Sequence, residues 1–506
     1  MPNLLPALAR LVALCSEARA RAAAVGRGVL VSMVEPVPPT GALDELDALE
    51  AMALSVEGRA IGGSAADRMY WTRPADGFSL AGFGSAVVMH AAGATRFASI
   101  DREWRALIGS AVLGDPSGGA PGAGPLLMGG FAFDSDGTAD NRWRGFPAAR
   151  FVVPRIQLAS TAGGQWLTMN MLVSPDGEPD VDSRALVALL NILADGRASN
   201  GARTVRASAP AAVEYTESRS ASSWRESVAH AVANIRDGAL EKVVLAREVV
   251  ATAPREFDVA ATLRYLRTAN RDSFVFGCWQ EGGESAFVGA SPELLVRTEE
   301  QDVRSSSLAG SVSRGQTAEE DAALAAGLLS SAKDRLEHEI VRRELSEGLA
   351  DFCDDVVADG SPSLLTLPQV HHLHTDVRAR LRPDHSLLEL VGRLHPTPAV
   401  GGAPRERALA FIRDHEQMER GWYAGPIGWL QRERGEFAVA LRSALVTGNQ
   451  ALLFAGCGIV ADSDPAEEYA ESLLKLRPME MALTGSVVAP GSAEPIAVPD
   501  GRAVAR

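Results

Sequence analysis

A chain of 506 residues with 46% hydrophobic and 22% charged content carries enough apolar material for a large buried core and has ordinary globular composition. Its formal net charge of −15 argues against nucleic acid or an anionic membrane surface as the main partner, so local cations must draw any anionic substrate. No run approaches about 18 consecutive apolar residues, so no transmembrane helix is expected. Cys15, Cys278, Cys353 and Cys457 form no CxxC pattern, which points to neither a zinc site nor a disulfide framework and fits a reducing cytosol.

Residues 1–47 read as an N-terminal helical segment. Leu4, Leu5, Leu8, Leu11, Val12 and Cys15 have helical spacing. Arg10 interrupts the apolar run and no cation precedes it, so a packing helix is expected rather than a signal peptide. Residues 48–212 read as a β-rich half. It has strands in FSLAGFGSAVVMH, LLMGGFAF, FVVPRIQLAS and WLTMNMLV, a loop over 113–125, a helix over 183–193 and a polar linker over 195–212.

Residues 213–486 read as the region that carries the chemistry. Helices are expected near 222–236 and 259–268, two more over 318–351, and others in ERALAFIRDHE and the EEYAESLLK stretch. Between them lie strands KVVLAREVV, SFVFGCWQ, SAFVGASPELLVRTEE, WYAGPIGWLQ, EFAVALRSALVTG and ALLFAGCGIV. This mixed order with hairpin-like pairs predicts an α+β fold rather than a βαβ repeat. The tail over 487–506 offers little to pack and is expected to be disordered.

Several residues carry candidate chemistry. Lys242 opens an apolar strand; it is either a snorkelling end residue or a desolvated lysine able to act as a base. Glu293 follows Pro292 between two strand pieces, either facing water in a turn or pointing into a cleft as a general acid. Glu337 shares a helix face with Ile340 and Val341, which suits a flank position or an inward acid needing a cation. Arg442 alternates with apolar neighbours on a strand expected to be buried, and so needs an anionic partner. Gly456 and Gly458 can let backbone amides approach an anion. HHLHTD places His372 and His374 on one strand face, but no further Cys or spaced His completes a zinc set, so packing or substrate contact is preferred.

The EEYAESLLK stretch stacks Glu468, Glu471 and Lys475 along one helix face. That is either a solvated ion-pair face or a shelf of inward carboxylates. With Glu337, such a shelf offers oxygen-only ligands, which favour Mg²⁺. Such a site suits a small polycarboxylate held partly through the metal.

KVVLAR, GASPELL, LAGS…RG, KDRLEHEIV, HPTPAVGG, YAGPIGW, VALRSA and GCGIV…SDPAEEYAESLLK occur in the order seen in chorismate-utilising enzymes, and the chain resembles that family densely over 214–484. GGFAF and WRGFPAARFVVPR resemble the family's N-terminal half. The resemblance implies one large α+β chorismate-binding domain with two β-sheets flanked by helices and the active site between them. It implies Glu337 and Glu471 as Mg²⁺ ligands with Glu468 beside them, and a metal that would bind the ring carboxylate of chorismate. Arg442, Tyr423 and the amides around Gly456 and Gly458 would hold the enolpyruvyl carboxylate. Lys475 would balance charge near the metal, and Thr397 of HPTPAVGG and His372 would touch substrate.

Within the family, Lys242 resembles the lysine of the water-using members. SLAGS, with Ala309, stands where one type of aminodeoxychorismate synthase carries a nucleophilic lysine in PIKGT. The implied reaction is that of isochorismate synthases of the menaquinone or siderophore type. Lys242 deprotonates water, which attacks ring carbon 2, and Glu293 protonates the hydroxyl leaving carbon 4. Lys242 is therefore expected to have a lowered pKa. The alternative is a salicylate synthase, which goes on to eliminate pyruvate; those enzymes resemble one another in carrying threonine where Ala399 stands. A cytoplasmic monomer, with no nucleic-acid or membrane partner, is expected.

Overall fold

The long strand Ala149–Thr161 is shared by two arms of antiparallel sheet. The computed structural model describes residues 4–37, 44–56, 67–117, 119–135, 140–176, 213–280, 285–432 and 434–485. The expected helix over 183–193, the linker over 195–212 and the tail over 487–506 lie outside these.

The first arm runs outward through Phe78–Ala91, Arg68–Arg73, Phe274–Trp279, Ser285–Ser291, Ser443–Thr447, Gln450–Ile459 and Lys242–Thr252. The second leaves the shared strand through Leu127–Phe131. It continues through Pro426–Leu430, Arg434–Val439, Leu294–Glu299, Asp302–Ser313 and Val370–Leu381. Among the described strands, the one parallel pairing joins Val29–Val37 to Val112–Gly114. Ten α-helices among the described residues flank the arms, giving the expected α+β class. The two expected sheets are thus one hydrogen-bonded network that divides at a common strand.

Local sequence explains the elements near the site. Lys242–Thr252 is buried on both faces for most of its length, as a strand flanked by both sheet neighbours and helices must be. The helix Ala332–Ala350 starts at Ser331, whose side chain accepts from Asp334 N. The helix Pro465–Thr484 starts at Asp464, whose carboxylate accepts from Ala466 N and Glu467 N, and it ends at left-handed Gly485. The N-terminal helix Leu4–Val25 packs by Leu11, Cys15, Ala18 and Ala22. A helix over Arg96–Ser110, in the stretch read as β-rich, buries Phe97, Ile100 and Trp104 on one face. No described helix is long and apolar enough to cross a membrane.

Two single strands expected from sequence are each broken where the chain changes arm. SAFVGASPELLVRTEE leaves the first arm at Ser291 and joins the second at Leu294, with Pro292 and Glu293 at the crossing. EFAVALRSALVTG leaves the second arm at Val439 and joins the first at Ser443. Arg442 therefore sits in a crossing turn, not on a continuous buried strand. Backbone bonds tie both crossings to the sheet: Val439 N donates to Glu293 O at 3.1 Å and Ala290 N to Arg442 O at 3.1 Å.

Candidate active site

The two crossings open on a cavity between the arms. Its wall includes Val244, Gly456 and Gly458 from the first arm, and Leu308–Ser311 and His372 from the second. Lys333, Asp334 and Glu337 enter from the helix Ala332–Ala350, and Glu468, Glu471 and Lys475 from the helix Pro465–Thr484. Glu293, Ala399, Tyr423 and Arg442 complete much of the rest.

Lys242 is buried to 1% exposure and does not snorkel. Its Nζ lies 2.9 Å from Glu337 Oε1. Both side chains crowd Gly458: a Cβ there would collide with Glu337 Oε1 and would meet Lys242 Cε at 2.9 Å. A Cβ on Gly456 would meet the Tyr423 hydroxyl at 2.9 Å. These glycines lie inside the strand Gln450–Ile459, opposite Val244 and Ala246. Val244 N donates instead to Gly401 O and Ala246 N to Glu416, so these residues turn their backbone groups away from the glycine strand. In an antiparallel ladder the opposed Gly456 and Gly458 then do the same, and face the site. The glycines thus supply space for side chains as well as backbone groups.

Glu293 is buried at the first crossing, with its N–H donating to Ser291 Oγ at 3.2 Å. Burial pushes its carboxyl pKa up to about 7, against the opposing pull of Lys242, Arg442 and Lys475. Thr397 is buried beside it; its hydroxyl lowers the Glu293 pKa slightly but makes no well-aligned hydrogen bond. Arg442 holds a left-handed backbone at φ 49°, a conformation that costs a non-glycine residue about 1–3 kcal/mol and recurs at functional sites. Its Nη2 reaches 3.5 Å from His372 Nε2. Because a guanidinium only donates, His372 Nε2 accepts and its proton sits on Nδ1, which is 2.9 Å from Ser311 Oγ. Burial, then Arg442 and Lys475, hold the His372 pKa well below its ordinary value, so the ring is neutral. Burial raises the Tyr423 pKa to about 12, keeping its hydroxyl protonated as a donor.

The opposite end of the cavity is acidic. Glu468 accepts from Ser463 Oγ at 2.7 Å and from Lys333 Nζ at 3.2 Å. Burial and the neighbouring Glu471 charge raise its pKa. Glu471 pairs with Lys475 at 2.6 Å, and Lys475 Nζ donates to Gly456 O at 3.0 Å. Burial opposes the charges of Glu471 and Lys475, but their attraction, with Lys333 and Arg442 also acting on Glu471, outweighs it: Glu471 is shifted down and Lys475 up. Asp334 is a further carboxyl here; burial raises its pKa and Glu337 and Glu471 add to the shift. Glu468, Glu471 and the thiol of Cys457 bring ligand atoms within 4.8 Å of one another. Glu337 is not part of this group and pairs instead with Lys242. The donor set at this end is dominated by carboxylate oxygen, which fits a hard divalent cation such as Mg²⁺.

The sequence reading named neither Lys333 nor Asp334 as site residues, although they lie one turn before Glu337 and share its helix face. It also passed over Cys457 and Arg420. The other histidines of HHLHTD bond elsewhere: His371 bonds Asp321 and Thr366, each at 2.9 Å, and His374 lies 3.6 Å from Asp376.

This cavity, with carboxylates and Lys475 at one end and Arg442, Tyr423 and neutral His372 at the other, coincides with a sequence match to the chorismate binding enzyme family over residues 17–484. The chain belongs to the chorismate binding enzymes. A salicylate biosynthesis isochorismate synthase of Pseudomonas aeruginosa is 38% identical over 422 residues, spanning 82% of this chain and 84% of that one. The isochorismate synthase MenF of Bacillus subtilis is 35% identical over 426 residues, spanning 83% and 88%. In fold, this chorismate binding enzyme is similar to the menaquinone-specific isochorismate synthase from Escherichia coli. The TM-score is 0.72 at 24% identity, covering 90% of this chain and 96% of that one.

Proposed function

We propose that this chorismate binding enzyme is an isochorismate synthase, an isomerase that moves a hydroxyl from ring carbon 4 of chorismate to carbon 2. The observation that carries the reading is that a buried carboxyl with a pKa near 7, Glu293, lines a cavity with an acidic shelf, and that a fully buried lysine, Lys242, pairs with Glu337 of the same cavity wall. Relatives at 38% and 35% identity bearing that activity in their names support it.

In this reading the anion-binding end takes the enolpyruvyl carboxylate. Arg442 supplies charge and planar donors, and Tyr423 and the outward backbone of Gly456 and Gly458 supply further polar contacts; Lys475, paired with Glu471, balances charge near the metal end. Thr397 and neutral His372 border the substrate. Glu337, Glu468 and Glu471 would hold Mg²⁺, and when bound that ion would neutralise the ring carboxylate. Lys242 Nζ accepts a proton from water as the oxygen bonds to carbon 2. Glu293 gives its proton to the hydroxyl leaving carbon 4, and the ring double bonds shift between. One water enters and one leaves, so the reaction needs no oxidant or reductant. A Glu293 pKa near 7 suits the acid role because a large fraction of the carboxyl is protonated at neutral pH.

Lys242 competes with its own ion pair in this scheme, since Glu337 holds the ammonium in place. Glu337, were it to hold Mg²⁺, would no longer tie down Lys242. Ala309, not a lysine, lines the wall, so no second nucleophile is offered from that position. Ala399 also lines the cavity and is the position at issue for the salicylate alternative. None of the four cysteines forms a disulfide and all are buried, in keeping with a cytosolic enzyme. The product formed from chorismate, with and without ammonium, tests the reading.

A further inference from the structure

Arg420 lines the cavity wall yet spends its donors on protein. Its Nε donates to Glu416 Oε1 at 2.7 Å, and its Nη2 donates to Glu416 Oε2 at 2.6 Å and Val244 O at 2.8 Å. Its Nη1 donates to Val400 O at 2.7 Å. The guanidinium lies 4.2 Å over the Phe133 ring. Glu416 Oε2 also accepts from Ala246 N at 2.9 Å. Four of the five N–H groups are thereby engaged.

The partners belong to three pieces of the active site. Val244 and Ala246 follow Lys242 on the same face of its strand. Val400 closes the loop that carries Thr397 and Ala399, and its N–H donates to Thr397 O at 3.1 Å. Tyr423 N donates to Arg420 O at 3.0 Å. The short strand Gly402–Ala403 pairs with Lys242 and Val243 and then stops. Beyond it, Arg420 and Glu416 supply the donor and acceptor that a neighbouring strand would have given to Val244 O and Ala246 N. A buried ion pair is a poor source of net stability, because desolvating both charges offsets their attraction. Its bonds run instead to backbone atoms of the segments that carry the reacting side chains.

We propose that the Glu416–Arg420 pair is a positioning device that fixes the strand of Lys242, the loop of Thr397 and the segment of Tyr423 relative to one another. Arg420 then sets the turnover rate without touching the reacting atoms. The proposal rests on the isochorismate synthase reading above.

The test compares Arg420→Met, the double variant Glu416→Gln/Arg420→Met and Arg420→Lys, measuring Tm, kcat and KM for isochorismate formation and chorismate Kd by calorimetry. Arg420→Met strands a buried carboxylate and is expected to lower Tm; the double variant removes both charges and is expected to recover most of it. The kcat of the double variant is expected to stay at least ~10-fold down, with KM and Kd within a few-fold of wild type, since displacements near 1 Å cost up to ~100-fold in rate. Arg420→Lys keeps the charge opposite Glu416 but not the planar fork, and is expected to hold Tm while losing ~10-fold in kcat. Wild-type kcat in either the double or the lysine variant would overturn the proposal. So would a defect confined to KM and Kd, which would make Arg420 a substrate ligand. A wild-type protein that binds chorismate but forms no isochorismate overturns the parent reading instead.

Discussion

Lys242 Nζ and Glu337 Oε1 stand 2.9 Å apart, joining a strand of the first arm to a helix beside the second. The pair connects the proposed base to a proposed metal ligand. Lys242→Ala is expected to reduce isochorismate formation by ~10²–10⁴-fold, the usual span for loss of a general base. Near-normal turnover in this variant, measured by product chromatography, would refute the base assignment.

Glu293 makes two predictions with one cause, its burial. As the proposed acid it must be protonated, so kcat/KM is expected to fall as pH rises through about 7. Glu293→Gln is expected to abolish turnover. Its effect on stability has the opposite sense. A carboxyl whose folded pKa is raised favours the folded state below its unfolded pKa, and that advantage is lost as pH rises through about 7. Replacing it by neutral glutamine is therefore expected to raise Tm at pH 8, by the equivalent of up to roughly 3 kcal/mol, and to change Tm little at pH 4. A Tm difference independent of pH would contradict the raised pKa.

Glu468 and Glu471 are expected to govern the Mg²⁺ response. Glu471→Ala and Glu468→Ala should each raise the Mg²⁺ concentration for half-maximal activity at least ~10-fold. Direct titration of Mg²⁺ by calorimetry should show the same weakening without substrate. An unaltered titration would remove these residues from the metal site.

Gly458→Ala tests the packing of the site. The added Cβ would strike Glu337 Oε1 and crowd Lys242 Cε, so the pair must separate. Crowding of this kind costs about 1–3 kcal/mol, so the variant is expected to fold with a lowered Tm and to lose most activity. Full activity would show that Lys242 and Glu337 work in a different arrangement.

The sequence made some of this site legible and hid the rest for physical reasons. Glu468, Glu471 and Lys475 could be placed on one face because helix periodicity is local. Glu293 could be placed at a strand end because Pro292 breaks the ladder. Arg442 was misplaced on a continuous strand: nothing in EFAVALRSALVTG marks the change of sheet, which depends on partners far away in the chain. Whether Lys242 snorkels or is buried turns on Glu337, a residue on another element. Arg420 offers locally only its four-residue spacing from Glu416, and its role lies in carbonyls from two distant segments. The division of the sheet at Ala149–Thr161 is equally non-local, although the amphipathic stripe of the helix Arg96–Ser110 was present to be read.

The most direct measurement is to incubate the purified protein with chorismate and Mg²⁺, with and without ammonium, and to identify the products by NMR. The account predicts a chorismate–isochorismate mixture that ammonium does not change. Salicylate with pyruvate as the end products would make the enzyme a salicylate synthase, and an aminated product would contradict the role given to Lys242.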